Sequence, residues 1–176
     1  TQTSQRKFNM SADHDTKNNS SNIDTNALRN ALGSFATGIT VVTAVGTGGQ
    51  SVGMTVNSFN SVSLNPPLVL WSIDRNSNCF NDFINANAYA VHVLSQDQQN
   101  ISNTFASSGA DKFADLSCAT GLSGVPILPK YSACFECVTE QQYDGGDHVI
   151  LVGRVMKFTD SGSLPLIFYR GNYKKL

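Results

Sequence analysis

The sequence predicts a mainly β fold, a closed antiparallel barrel with a few helices around it. Two observations predict it. Apolar, β-branched runs of strand length recur along the chain, as in Ile39-Thr40-Val41-Val42-Thr43-Ala44 and Leu68-Val69-Leu70-Trp71-Ser72-Ile73. Glycine turns join consecutive runs: Gly46-Thr47-Gly48-Gly49 and Tyr143-Asp144-Gly145-Gly146. The runs are too many and too closely linked for a doubly wound sheet, which needs a helix between successive strands. No internal repeat is present.

The elements follow in order. Residues 1 to about 22 are Thr, Gln, Ser, Asn, Asp and Lys with almost nothing apolar, so they read as a flexible polar tail before a domain over 23–176. His14 lies in this tail and has no assigned role. A helix starts at Thr25 with Asp24 as N-cap. Ala27, Leu28, Ala31, Leu32 and Phe35 form its apolar stripe, and Gly38 ends it. The strand over 39–44 turns through the glycine cluster and returns from Ser51 as a hairpin. That cluster is not a dinucleotide fingerprint: Ser51 stands where the last glycine belongs, and it joins two strands rather than a strand and a helix.

After the strand over 68–73, Asp74-Arg75-Asn76-Ser77-Asn78 leads into a helix containing Cys79, Phe80, Phe83 and Ile84. Ala88 to Leu94 is a strand, and Ser95 with Gln98 forms a capping box for a helix through Ile101 and Phe105. Residues 107–130, rich in Gly and Ser with Pro126 and Pro129, form a long excursion of the kind that often carries function. Strands follow at roughly 132–142 and 147–158, and a last one at 165–170.

Composition narrows the function. The 176 residues are 40% hydrophobic and 14% charged, enough apolar content for one core. A net charge of −1 gives no basic surplus for nucleic acid, and no basic amphipathic run suits a membrane surface. No apolar run is long enough to span a bilayer. Cys79, Cys118, Cys134 and Cys137 are too few for a disulfide framework, so the expected setting is cytoplasmic with reduced thiols.

The most informative stretch is Gly53 to Val69. Thr55, Asn57, Ser58, Asn60, Ser61 and Ser63 alternate there with Met54, Val56, Phe59, Val62 and Leu64. A purely structural strand does not need so many donors and acceptors; a flat cofactor with polar edges does. Arg75 and Ser77, just before a helix, suit the phosphate end of such a cofactor, with a solvated turn charge as the alternative for Arg75. His148 follows Gly145-Gly146-Asp147 at the start of a strand, where it is either a donor to a ligand or a polar rim residue. His92 lies mid-strand and reads as a satisfied core histidine.

Cys134 and Cys137 form C-x-x-C, but in a strand positions three apart point to opposite faces, so no metal or redox pair is expected. There is no G-x-S-x-G elbow and no paired carboxylates stand out. So thin an acid–base inventory favours chemistry carried by a cofactor.

Four segments, in order, carry a resemblance. They are Phe35-Ala36-Thr37-Gly38-Ile39-Thr40-Val41-Val42-Thr43; Gly53-Met54-Thr55-Val56-Asn57-Ser58-Phe59 continuing through Pro66-Pro67-Leu68-Val69; Gly146-Asp147-His148; and Pro165-Leu166-Ile167-Phe168-Tyr169-Arg170-Gly171-Asn172-Tyr173. From about Leu28 to Leu176 the chain resembles the short-chain flavin reductases, the flavin-reductase-like FMN-binding split barrels. The resemblance implies a split barrel and a homodimer with flavin near the subunit interface. It implies FMN or FAD as the flavin, NADH or NADPH as co-substrate, and in many members release of reduced flavin to a partner monooxygenase. It places Met54, Thr55, Val56, Asn57, Ser58, Phe59 and Ser61 along the isoalloxazine and ribityl chain, with Thr37 nearby. Ser72, Arg75 and Ser77 take the phosphate end, His148 the nicotinamide side, and Phe168, Tyr169, Arg170 and Tyr173 close the pocket. The loop around Asp111-Lys112-Phe113 is left between flavin and nucleotide.

Overall fold

The computed structural model describes residues 23–109 and 111–176; the predicted tail lies outside them. Seven antiparallel strands form the main sheet. They are β2 (Thr40–Val45), β3 (Ser51–Val56), β4 (Asn60–Leu64), β5 (Pro67–Asp74), β6 (Ala88–Val93), β9 (Ala133–Gly145) and β10 (His148–Asp160), in the order β3-β2-β6-β9-β10-β5-β4. A second sheet joins β1 (Thr37–Gly38), β11 (Ile167–Tyr169) and β12 (Asn172–Lys174), and β7 (Ala119–Thr120) pairs with β8 (Pro126–Ile127). The helices are α1 (Thr25–Leu32), α2 (Phe80–Asn85) and α3 (Gln99–Ala106). No helix among the described residues is long and apolar enough to cross a membrane.

The central strands β2 and β6 are buried along nearly their whole length, as their continuous Val and Ala content requires. Trp71 meets Phe83 edge-on at 5.0 Å and Tyr89 at 5.9 Å, and this trio anchors the main core with Val42, Val91 and Leu151.

The barrel is split rather than closed. β3 and β4 follow one another in sequence, joined by Asn57-Ser58-Phe59, yet they end the sheet on opposite sides and no ladder joins them. Ser58 marks where the β4 ladder on β5 stops. Its Oγ accepts from the Ser72 N–H at 2.9 Å and donates to the Ser72 carbonyl at 3.1 Å. One side chain thus occupies both backbone groups that β5 presents beyond the last rung of the β4 ladder, at Asn60 opposite Leu70.

Several boundaries differ from expectation. Asp24 does cap α1, its Oδ1 accepting from the Asn26 and Ala27 amides at 2.9 and 3.2 Å. The helix stops at Gly33, however, because Thr37–Gly38 pairs with β11. Phe35 therefore lies outside the helix, and α1 buries none of its residues. The capping box before α3 is half made. Gln98 Oε1 accepts from the Ser95 N–H at 2.8 Å, but Ser95 Oγ donates to that same oxygen rather than accepting from the backbone, and the helix begins at Gln99. β4 and β12 are strands that the sequence reading did not separate: one folds back through the cis Asn65–Pro66 bond, the other through Arg170 and Gly171, which have φ of 47° and 77°.

Candidate active site

Two cavities flank β3 and the segment that follows it. The first, of about 550 Å³, lies between β3, the Asn76–Cys79 segment, the end of α3 and the loop up to Phe113. It brings together Met54, Thr55 and Ser77 of the expected residues. Its wall depends on Gly53. A Cβ there would lie 2.6 Å from the ring of Phe105, so only glycine lets α3 approach the strand this closely. Thr55 Oγ1 donates to the Ser102 carbonyl at 2.7 Å and fixes that approach. Lys112 reaches in from the loop: its Nζ donates to the carbonyls of Gly53 (3.1 Å) and Phe105 (2.9 Å). The loop is held by Phe113, edge-on to Phe105 at 5.1 Å. Sequence reasoning left Lys112 unassigned; its signal was a lone basic residue beside an aromatic in a long Gly/Ser-rich loop.

The second cavity, of about 450 Å³, gathers Thr37, Asn57, Phe168 and Arg170 with Arg29, Leu32 and Phe35. Thr37 Oγ1 is buried with no hydrogen-bond partner among the described residues. Arg170 donates to Ser34 Oγ at 3.0 Å and to Tyr169 OH at 3.1 Å. Tyr173 packs against Phe168 at 5.5 Å and meets Ser102 Oγ at 2.9 Å, so α3 ties β3 to the C-terminal hairpin.

Other expected residues line neither cavity. Ser58 and Ser72 bond each other, Phe59 stacks on Phe135 at 5.6 Å, Val56 is in the core, and Ser61 is exposed on β4. Arg75 turns to the β9–β10 connection, its Nη2 donating to Asp144 at 2.8 Å and its Nε to the Gly146 carbonyl at 3.0 Å. His148 stands opposite Asp74 on β5, with Nδ1 2.7 Å from Asp147 Oδ1. A carboxylate only accepts, so Nδ1 carries the proton and the ring orientation is held.

His92 is a satisfied core histidine, fully buried. Its Nδ1 bonds the Val41 carbonyl at 3.1 Å, its Nε2 accepts from the Leu128 N–H at 3.2 Å, and burial pulls its pKa down to about 4. Cys134 and Cys137 are free and lie in different apolar clusters; burial pushes both thiols up to about 12. Among the described residues no cluster of side chains suits a metal ion.

The flavin reductase like domain pattern matches residues 32–176, nearly the whole described chain. The chain belongs to the flavin reductase like domain family. Among relatives in this family, the chain is 44% identical over 146 residues to the reductase component of the flavin-dependent trigonelline monooxygenase of Acinetobacter baylyi, covering 83% of this chain and 47% of that protein. It is 46% identical over 147 residues to the NADH-dependent FMN reductase SmoA of Agrobacterium fabrum, covering 84% and 83%. The chain thus spans about half the length of the first relative and most of the second. The NADH:FAD oxidoreductase SgcE6 of Streptomyces globisporus, solved with NAD and FAD fragments, superposes with a TM-score of 0.82 at 35% identity, covering 87% of this chain and 93% of that one.

A flavin phosphate fits the first cavity. Its volume is in the range of about 300–1,000 Å³ for small-molecule sites. Its donors are the neutral Asn76, Ser77 and Asn78 plus one ammonium, the set that a phosphate monoester takes. The orphaned Thr37 hydroxyl in the second cavity is a donor awaiting an acceptor.

Proposed function

We propose that this domain is an NAD(P)H:flavin oxidoreductase that moves hydride from a nicotinamide nucleotide to FMN or FAD and supplies reduced flavin to a partner monooxygenase. The observation that carries this reading is the Lys112 cavity along β3 in a chain of this family. Bound flavin supplies the hydride-accepting ring. The protein's part is to bind, orient and exclude water. Met54, Thr55 and Ser77 hold the flavin in the first cavity, while Thr37, Asn57, Phe168 and Arg170 line the adjoining one. His148, fixed by Asp147, faces the nicotinamide nucleotide in this reading.

A homodimer in the cytoplasm belongs to the same proposal. Leu28, Leu32 and Phe35 are exposed around α1, with Phe35 at 74%, and two of them line the second cavity, which supports a subunit contact there. Four free thiols support a reducing setting.

The test is oxidation of NADH and NADPH, followed by nicotinamide absorbance, with and without added FMN or FAD. Oxidation that depends on added flavin is expected. A yellow protein, active without added flavin, makes the flavin resident rather than substrate. No oxidation under any flavin refutes the proposal.

A further inference from the structure

We infer that Arg75 is a positioning residue for the nicotinamide side: its guanidinium staples the β9–β10 turn to the end of β5 and so holds His148 in place. This rests on the reading of His148 given above and adds the residue that acts through it.

The turn has no packing of its own. Asp144, Gly145, Gly146 and Asp147 are all exposed, and a Cβ added at Gly146 would meet nothing within 4 Å. His148 follows as the terminal rung of β10 on both sides, opposite Asp74 of β5 and Gly145 of β9. Terminal rungs open most easily, so the ladders alone hold this end weakly.

Arg75 supplies what packing does not. Its Nη2 donates to Asp144 Oδ1 at 2.8 Å, its Nε to the Gly146 carbonyl at 3.0 Å, and its backbone N–H to the Asp147 carbonyl at 3.0 Å. Asp144 Oδ1 also accepts from the Gly146 N–H at 3.2 Å, so one oxygen closes the turn and grips the guanidinium. The fixed fork of a guanidinium can reach a carboxylate and a carbonyl together, which a lysine ammonium on its flexible stem does less well. Beyond the turn, Asp147 holds His148 Nδ1 at 2.7 Å, so the staple reaches the ring through Asp147. In the other direction Arg75 is followed directly by Asn76–Cys79, the wall of the first cavity, though it lines neither cavity itself. The His148 turn and that wall are thereby held as one unit. The Arg75–Asp144 pair is exposed, so its weight falls on local order rather than on global stability.

The experiment compares the wild-type chain, Arg75→Met, His148→Ala and the double variant. It reads KM for NADH, FMN affinity by flavin fluorescence, and the imidazole nitrogen NMR resonances of His148 in mildly alkaline buffer without flavin or nucleotide. Loss of a signal in His148→Ala assigns those resonances. In the wild type they should show the proton on Nδ1; Arg75→Met should move them toward a mixture of tautomers. Arg75→Met is expected to raise KM roughly 2- to 10-fold, the range of one hydrogen bond, and to leave FMN affinity within about twofold, which also shows that the variant is folded. The double variant should match His148→Ala rather than multiply the two effects, because Arg75 acts through the ring. The inference alone is overturned if His148→Ala raises KM while Arg75→Met changes neither KM nor the resonances, if the two effects multiply, or if Arg75→Met weakens FMN and spares KM. A wild-type KM in His148→Ala refutes the nicotinamide reading of His148, and this inference with it.

Discussion

Replacing Gly53 with alanine tests the close approach on which the first cavity depends. The new Cβ would sit 2.6 Å and 2.8 Å from two ring carbons of Phe105 and 3.1 Å from the tip of Phe113. Carbon atoms prefer about 3.5–4.0 Å, so the Phe105 ring must move by roughly 1 Å. It has little room: Phe105 is 1% exposed and packs in a cluster with Val41, Leu94, Leu128 and Leu166. Overpacking of this kind costs about 1–3 kcal/mol. Removing glycine entropy from the unfolded chain offsets about 0.4–1 kcal/mol. The net loss is up to about 2.6 kcal/mol, a fall in Tm of up to roughly 10 °C for a domain of this size. Because Phe113 and the Lys112 anchor move with the ring, flavin affinity falls as well. Thermal unfolding followed by circular dichroism, together with flavin titration, provides the assay. Gly38→Ala is the control: a Cβ there meets nothing within 4 Å, so Tm should hold or rise. If Gly53→Ala melts at or above the wild-type temperature, the close-approach argument is wrong.

Two further predictions concern the histidines. His92 has a folded pKa of about 4, below the unfolded value of about 6.5. Above pH 6.5 it is neutral in both states; between about 6.5 and 4 only the unfolded state binds the proton, so stability falls as pH drops. Urea unfolding at about pH 7.5 and about pH 5 should show up to about 2 kcal/mol of loss from this source, and His92→Gln should remove that part of the slope. An unaltered slope in the variant would assign the loss to other groups. His148→Ala is expected to raise KM for the nicotinamide nucleotide and leave flavin affinity unchanged; steady-state kinetics beside flavin titration decides, and a loss confined to flavin puts His148 on the wrong ligand.

Much of the architecture was readable from local pattern alone. The apolar runs at β2, β5 and β6, the glycine turn at 46–49 and the Asp24 cap appear where the sequence puts them. Local rules suffice there because strand length, alternation and capping involve residues only a few positions apart. Of the polar–apolar stretch after Gly53, Met54 and Thr55 line the first cavity. The four-segment resemblance led to the family that residues 32–176 match.

Only the tertiary structure decided the rest. The end of the β4 ladder is marked by Ser58 bonding both backbone groups of Ser72, a contact made across 14 positions that no local pattern shows. The sequence reading put Arg75 at a phosphate end and left Lys112 unassigned. What separates them is which carbonyl or carboxylate each meets, 69 residues away at Asp144 for Arg75 and 59 away at Gly53 for Lys112. Charge neutralisation is a property of distance in space. A one-dimensional pattern records which residues carry charge; the fold alone determines which of those charges remains free to meet a ligand.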